Sequence, residues 1–274
     1  MTLFLFEFMD HPRTPRVLRE TLLDVLDYCN SDFRPYYNEI AQRVVEIADQ
    51  RGHSTIVELG AGYAPLTSEL ARVAENPHNA ENPHNAEDSH SSEDSHNGDE
   101  THRTLIPCDL FPEAETWQRL ERQFGNRVQP EYEPVDFTVR RDWGPGVALI
   151  LCATLHHIHP DRRRETLLAL HDSADCILVF EPVRKTPFSM FLVLFAIIPA
   201  LLTPLFRITR PGRIRRILLC WLVPIVPFMF VWDGLVSCLR QWSPKQWNNF
   251  AASLPQETRR PEVVSTPHSQ TIVW

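Results

Sequence analysis

Apolar and polar positions along the chain alternate between two periods. Near-continuous apolar runs at 55–59, 147–153 and 176–180, and a shorter one ending at Asp109, predict strands buried on both faces. Helical spacing is seen between them. Val17, Leu18, Leu22, Leu23, Val25 and Leu26 mark one helix over 15–27, and Ile40, Val44, Val45 and Ile47 mark another over 36–51, with Gly52 as its C-cap. Further helices are predicted from Pro65, over 115–124, over 160–170 with Pro160 and Asp161 in the first turn, and from Ser243 as N-cap with Pro244 at N1. Strand and helix alternate, so the pattern predicts an α/β fold: a Rossmann-like doubly wound parallel sheet with helices on both faces. With a short apolar run around Val135 and Phe137 included, 176–180 counts as the fifth strand. Residues 251–274 are polar and proline-broken, and only 270–274 reads as a strand, so a reduced closing hairpin is expected.

Two segments depart from this pattern. Residues 188–206 contain 19 residues without a charge and 217–232 contain 16; the ten residues between them carry Arg207, Arg210, Arg213, Arg215 and Arg216. Nineteen residues rise roughly 28 Å as a helix, near membrane-spanning length, and neither run has a polar face. Prolines 199, 204, 224 and 227 interrupt both, which suits a hydrophobic helical hairpin at a membrane better than isolated soluble helices. A buried lid over the active cleft is the competing reading. The second departure is 75–102, where ENPHNA occurs twice in tandem, EDSH occurs twice, and apolar side chains are nearly absent. Such a segment buries too little to offset its chain entropy and is expected to be a disordered insert. Its histidines at 78, 84, 90, 96 and 102 would bind a transition metal weakly at most.

The division expected is therefore 1–52 helical, 53–183 the α/β domain, 184–240 the hairpin with its arginine connector, and 241–274 completing the fold. At 274 residues one domain with additions accounts for the length. The net charge of −8 is local: eight acids lie within 75–100, and without them 27 basic residues face 27 acidic ones. No basic field points to nucleic acid. Six cysteines show no C-x-x-C pair, which fits reduced thiols and gives no zinc or disulfide framework. The first residues lack a basic start and a long apolar run, so export is not expected and the cytoplasm, or the cytoplasmic side of a membrane, is.

The candidate chemistry sits at the predicted strand ends. Thr55 to Leu70, TIVELGAGYAPLTSEL, reads as strand, glycine turn and helix, with Gly60 and Gly62 permitting close backbone approach and a helix N-terminus offering N–H groups. A dinucleotide fingerprint would need a third glycine where Pro65 stands, which disfavours a nicotinamide-dependent reductase. Glu58, Gly60 and Gly62 resemble the first motif of class I S-adenosylmethionine (SAM) dependent methyltransferases. In that family an acidic strand end and a G-x-G turn hold the aminoacyl part of the cofactor. Asp109 follows Gly62 by 47 residues, about 19 once the insert is subtracted, the interval at which an acidic residue meets ribose hydroxyls. Asp136 matches the family's adenine contact. Leu155, His156 and His157 resemble its fourth motif, between cofactor and acceptor, where either histidine is a candidate general base or a packing residue. A stretch like Trp232 to Arg240, WDGLVSCLR, is similar to one that accompanies a hydrophobic hairpin in uncharacterised bacterial methyltransferase-like proteins.

The resemblance covers roughly residues 1–183 and implies a SAM-dependent methyltransferase; the apolar hairpin that follows adds the expectation of a small, lipophilic acceptor met at a membrane surface. Tyr36 and Tyr37, ahead of the first strand, are candidates to face the ligand. No metal ligand set is expected. The competing function is a noncatalytic membrane-attached scaffold with the same fold.

Overall fold

The computed structural model describes residues 5–32, 34–75, 103–206, 212–256, 258–265 and 269–274. The repeat-rich stretch at 76–102 and the connector arginines Arg207 and Arg210 lie outside the described residues. Six strands, β1 (Thr55–Leu59), β2 (Thr104–Cys108), β3 (Val147–Cys152), β4 (Cys176–Glu181), β5 (Glu262–Ser265) and β6 (Gln270–Val273), form one sheet in the order β2-β1-β3-β4-β6-β5. β1 to β4 are parallel, and β6 and β5 close the edge antiparallel. The sheet is thus mixed, and two expectations are corrected. The run around Val135 is no strand, because Pro130 and Pro134 carry no N–H for a ladder; only Val128 makes an isolated bridge, to Leu105. Cys176–Glu181 is therefore the fourth strand. The closing hairpin is also complete, for β5 is an outer strand whose Val264 is 54 % exposed, and an edge strand needs no long apolar run.

Alternate strand residues feed two cores. Ile56, Leu105, Ala148, Ile150, Leu178 and Phe180 face α2 (Arg34–Arg51), α3 (Pro65–Glu75) and α4 (Ala114–Phe124). Val57, Leu59, Leu149, Leu151, Ile177 and Val179 face α5 (Pro160–His171) and α10 (Pro244–Ala252). This is the period-2 alternation of a sheet covered on both sides. Strand order reverses between β1 and β3, and the crevice beyond their carboxyl ends is where open α/β sheets take ligands.

The apolar runs form a separate layer. α6 (Pro187–Leu194) and α7 (Ile197–Phe206) make one apolar stretch of 20 residues. α8 (Arg213–Ile217) passes through a π turn at Leu218–Leu222 into α9 (Ile225–Arg240), and the pair is bent by 77°. Their inner faces share a core with α1 (Arg16–Asp32), built from Leu22, Val25, Cys29, Ala200, Cys220, Val226 and Met229. Their outer faces expose large apolar side chains, Leu222 at 72 % and Phe228 at 63 % among them. The layer is also tied by charge, since Arg215 pairs with Glu20 and Asp24, and the fully buried Arg216 pairs with Asp24 at 3.0 Å. Removing one partner of a buried pair leaves the other charge uncompensated. Asp24→Asn is therefore expected to cost about 3 kcal/mol in urea unfolding, and Asp24→Leu combined with Arg216→Met less than the single change. A single change within the measurement error of the parent would show that the hairpin is not anchored there.

Candidate functional site

The glycine turn after β1 is set by two close approaches. Gly60 has φ +70°, and a Cβ there would lie 2.5 Å from Thr154 Cγ2, so β1 and β3 meet across it with no room for a side chain. Gly62, at φ +52°, is the opposite case: an added Cβ would meet nothing within 4 Å, so this part of the turn borders open space. The N–H groups of Gly60 and Ala61 bond to the Cys108 carbonyl at 2.9 and 3.0 Å, and that of Gly62 bonds to Asp109 Oδ2 at 2.9 Å. These donors are used inside the fold, and what the turn offers is room. Ala64 and Ala153 also hold positive φ, 52° and 55°, one on each side of the crevice. Left-handed backbone costs roughly 1–2 kcal/mol at such residues, and it concentrates where a site is shaped.

Three carboxylates stand at the strand ends. Glu58, 3 % exposed, accepts from Thr67 N at 2.9 Å and Thr67 Oγ1 at 2.5 Å. It therefore braces the first turn of α3, and burial pushes its pKa up to about 7 against the pull of those bonds. Asp109 accepts from Gly62 N and, at 2.8 Å, from Phe111 N; burial raises its pKa and the two N–H groups oppose the rise. Each Asp109 oxygen keeps a lone pair, and the residue is only partly buried. Glu181, 1 % exposed, is the third. Its Oε2 accepts from His156 Nδ1 at 2.8 Å and Gln241 Nε2 at 2.5 Å, while its Oε1 is buried without a hydrogen-bond partner. Burial would raise this carboxyl, but His156 and Gln241 outweigh it and the net shift is downward.

The adjacent histidines have different surroundings. His156 is buried, and its Nδ1 lies 2.8 Å from Glu181 Oε2 and 3.1 Å from Gln241 Nε2; we assign the Nδ1 proton to the shorter contact with the carboxylate, which can only accept, and this leaves Nε2 with the open lone pair. His157 Nδ1 lies 2.6 Å from Asp10 Oδ2 and 3.0 Å from Glu7 Oε2. Burial opposes a charge on this ring, but Asp10 and Glu7 prevail and hold its pKa well above the ordinary histidine value. His157 is thus an imidazolium gripped by two carboxylates, which corrects its expected role as a general base. Asp136 is exposed, and its Oδ1 accepts from Thr138 N at 2.9 Å and Thr138 Oγ1 at 2.6 Å. Its neighbour Val135 bonds to the Asp109 carbonyl at 2.9 Å, so the loop nonetheless runs beside the end of β2. Tyr36 and Tyr37 reach the same edge, their hydroxyls raised first by burial and then by Cys152, with Glu181 acting on Tyr36 and Glu58 on Tyr37.

The residues that sequence spacing missed are Glu7, Asp10 and Gln241, and the reason is distance: Asp10 and His157 are 147 positions apart. The signal available was the WDGLVSCLR stretch, whose polar residues along α9 hold the segment around residues 5–10. Trp232 Nε1 donates to Phe6 O at 3.0 Å, and Asp233 accepts from Phe8 N and Met9 N at 2.7 and 3.0 Å. Ser237 Oγ donates to Glu7 Oε1 at 3.2 Å, and Arg240 reaches Leu5 O and lies 3.1 Å from Glu7 Oε1. Gly234 brings α6 close, since a Cβ there would lie 2.7 Å from Val193 Cγ1. Arg163, 1 % exposed, completes the frame by donating to the carbonyls of Ile158, His156 and Arg240.

The two glycines should respond differently to alanine. Gly62→Ala carries only the left-handed backbone cost of about 1–2 kcal/mol, whereas Gly60→Ala adds an overlap with Thr154 and should cost about 3 kcal/mol or more. Chemical denaturation of both variants checks the order; equal losses would mean that the β1–β3 approach is looser than described.

No family model matches the chain, and no curated protein does. Solved structures are similar in fold. A protein from Nostoc punctiforme assigned as an O-methyltransferase superposes with a TM-score of 0.52 at 14% identity, over 99% of this chain and 63% of its own. A plantazolicin methyltransferase in complex with SAH gives 0.48 at 8% identity, over 97% and 91% of the two chains. Magnesium protoporphyrin IX methyltransferase from Synechocystis, with bound SAH, gives 0.45 at 13%, over 86% and 81%. The chain spans less than two thirds of the Nostoc protein. Its six-stranded sheet with flanking helices is similar to the α/β fold of that protein.

Proposed function

We propose that the protein is a SAM-dependent methyltransferase acting on a small, lipophilic acceptor at a membrane surface. The observation that carries this reading is the edge of the sheet at the β1–β3 crevice. Open space over Gly62 lies beside a partly exposed Asp109 carboxylate, and a carboxylate-backed histidine follows β3. These features fit the cofactor: Asp109 keeps acceptor capacity for ribose hydroxyls, Gly62 leaves space for the aminoacyl end, and Asp136 stands on the loop toward an adenine. Bound there, SAM would supply a methyl group already activated on a sulfonium. The chain's own part is positioning and proton removal. His156, fixed through Nδ1 by Glu181, offers Nε2 to the proton of an acceptor hydroxyl. His157 keeps its proton and contributes fixed positive charge. Direct calorimetry tests the reading. SAM is expected to bind with micromolar-scale affinity, and Asp109→Ala to weaken it by roughly 1.5–3 kcal/mol, the worth of hydrogen bonds to a charged group. Unchanged affinity would remove Asp109 from the site, and no binding by the parent would favour the noncatalytic scaffold.

The membrane part rests on the apolar outer faces of α6 to α9. An exposed apolar surface of this extent marks a lipid or partner interface. Full crossing by both arms would carry residues 213–216 to the far side of a bilayer. Arg215 and Arg216 are instead paired with α1, which leaves exposed Arg213 as the described connector arginine open to headgroups. The reading is a hairpin lying within one leaflet, bent at its proline-rich turn, with the acceptor arriving from the lipid. All six native cysteines are buried, so Arg213→Cys gives a clean reporter for a membrane-impermeant thiol reagent. The protein is expected in the membrane pellet, with labelling only after cells are opened. Labelling of intact cells would mean spanning, and recovery in the soluble fraction would make the hairpin a lid.

A further inference from the structure

We propose that Glu7, His156 and His157 form a binding site for one divalent transition-metal ion, of the zinc, manganese or iron class. Donor atoms of the three residues lie within 4.8 Å of one another, and Glu7 and His156 are 2 % and 5 % exposed. Metal–ligand bonds of about 2.0–2.2 Å set neighbouring ligands of a tetrahedral site about 3.3–3.6 Å apart, so the three donors, now up to 4.8 Å from one another, draw together to close on an ion. Two imidazoles and a carboxylate are a donor set for first-row transition ions, and a poor one for magnesium or calcium.

The surroundings support an ion beyond the bare cluster. A metal-bound histidine characteristically gives its second ring nitrogen to a carboxylate, and His156 does so: Nδ1 is held by Glu181, leaving Nε2 to coordinate. Glu181 Oε1 is a buried carboxylate oxygen with no hydrogen-bond partner, as expected where positive charge belongs nearby. On the other side, the ion would replace the proton on His157 Nδ1, which lies 3.0 Å from Glu7 Oε2, and Asp10, 2.6 Å from the same nitrogen, would stand beside the site as countercharge. His157, 30 % exposed, provides the route of entry.

The site exists independently of the methyl-transfer reading, but its role rests on it. An ion at this edge would polarise the oxygen of a hydroxyl-bearing acceptor, taking over from the imidazole of His156, and so favours oxygen over nitrogen as the methylated atom. The test uses the full chain, stripped of ions, loaded with equimolar Zn²⁺ and desalted through citrate to remove loosely held metal. One zinc per chain is expected to remain and to raise the melting temperature, and excess Mg²⁺ should not displace it. Glu7→Gln and His157→Asn should each weaken retention at least 100-fold, whereas His90→Asn, in the histidine-rich repeats, should not. Because the ligand variants lose buried contacts, Co²⁺ loading of the parent gives a second readout: weak visible bands of a nitrogen and oxygen site without thiolate charge transfer. No retained zinc, equal retention in parent and ligand variants, or a thiolate signature overturns the proposal. SAM calorimetry on the stripped protein separates the two readings: binding there with no metal site leaves the methyltransferase standing and removes only the ion.

Discussion

The structure depends on how buried carboxylates at one edge of the sheet are satisfied. An ionised carboxylate taken out of water needs hydrogen bonds and countercharge, or it protonates. Each one here meets that need through a different part of the chain. Glu58 uses the first turn of α3, which fixes the helix behind the glycine turn. Asp109 uses Gly62 and Phe111, which ties the turn after β1 to the end of β2. Glu181 uses His156 and Gln241, which joins β4 to the turn after β3 and to the residue following α9. The crevice is therefore shaped by the same bonds that oppose the effect of burial on its carboxylates, and altering one carboxylate would disturb geometry and electrostatics together.

The apolar hairpin belongs to this arrangement. α9 is apolar over its first half and carries Asp233, Ser237 and Arg240 at the end nearest the site. Those side chains grip the segment around residues 5–10, whose Glu7 and Asp10 grip His157. Lateral movement of the hairpin would thus reach the histidine pair through two layers of short polar contacts. At the other end, Arg215 and Arg216 fasten the connector to α1. A layer held at both ends does not swing freely, which accounts for a large apolar surface remaining outside while its inner face packs against α1.

Much of this was legible in the sequence. The strands 55–59 and 147–152, the helix from Pro65, the helix start at Pro160 and the cap at Ser243 follow from apolar period and capping chemistry, and the structure has them. The position of Asp109 just past the end of the second strand was legible too, once the repeat-rich stretch was subtracted from the spacing; its bond from Gly62 N was not. The edge strand β5 was not, since a strand with one face in water carries little apolar signal. Nor were Glu7 and Asp10. They lie in a short aromatic and acidic segment with no periodicity, and their meaning comes from contacts with residues more than a hundred positions away. The five connector arginines illustrate the limit: the sequence shows them only as a basic run between two apolar ones, while Arg215 and Arg216 are committed to acids on α1.

His156 and His157 show why residue type alone does not assign chemistry. They are consecutive, their rings are 4.2 Å apart, and both follow the same buried strand. Glu181 comes from within the sheet and meets a single nitrogen of His156, so that ring keeps one nitrogen for outside use. Glu7 and Asp10 come from the opposite side and converge on one nitrogen of His157, so that ring's proton is shared between two negative charges. The first arrangement suits giving and taking a proton or holding an ion; the second keeps a cation in place until something of higher charge replaces it. A pair of histidines at a strand end therefore becomes a base, a cation or a metal site according to which distant segments close over it, and here the N-terminal segment decides.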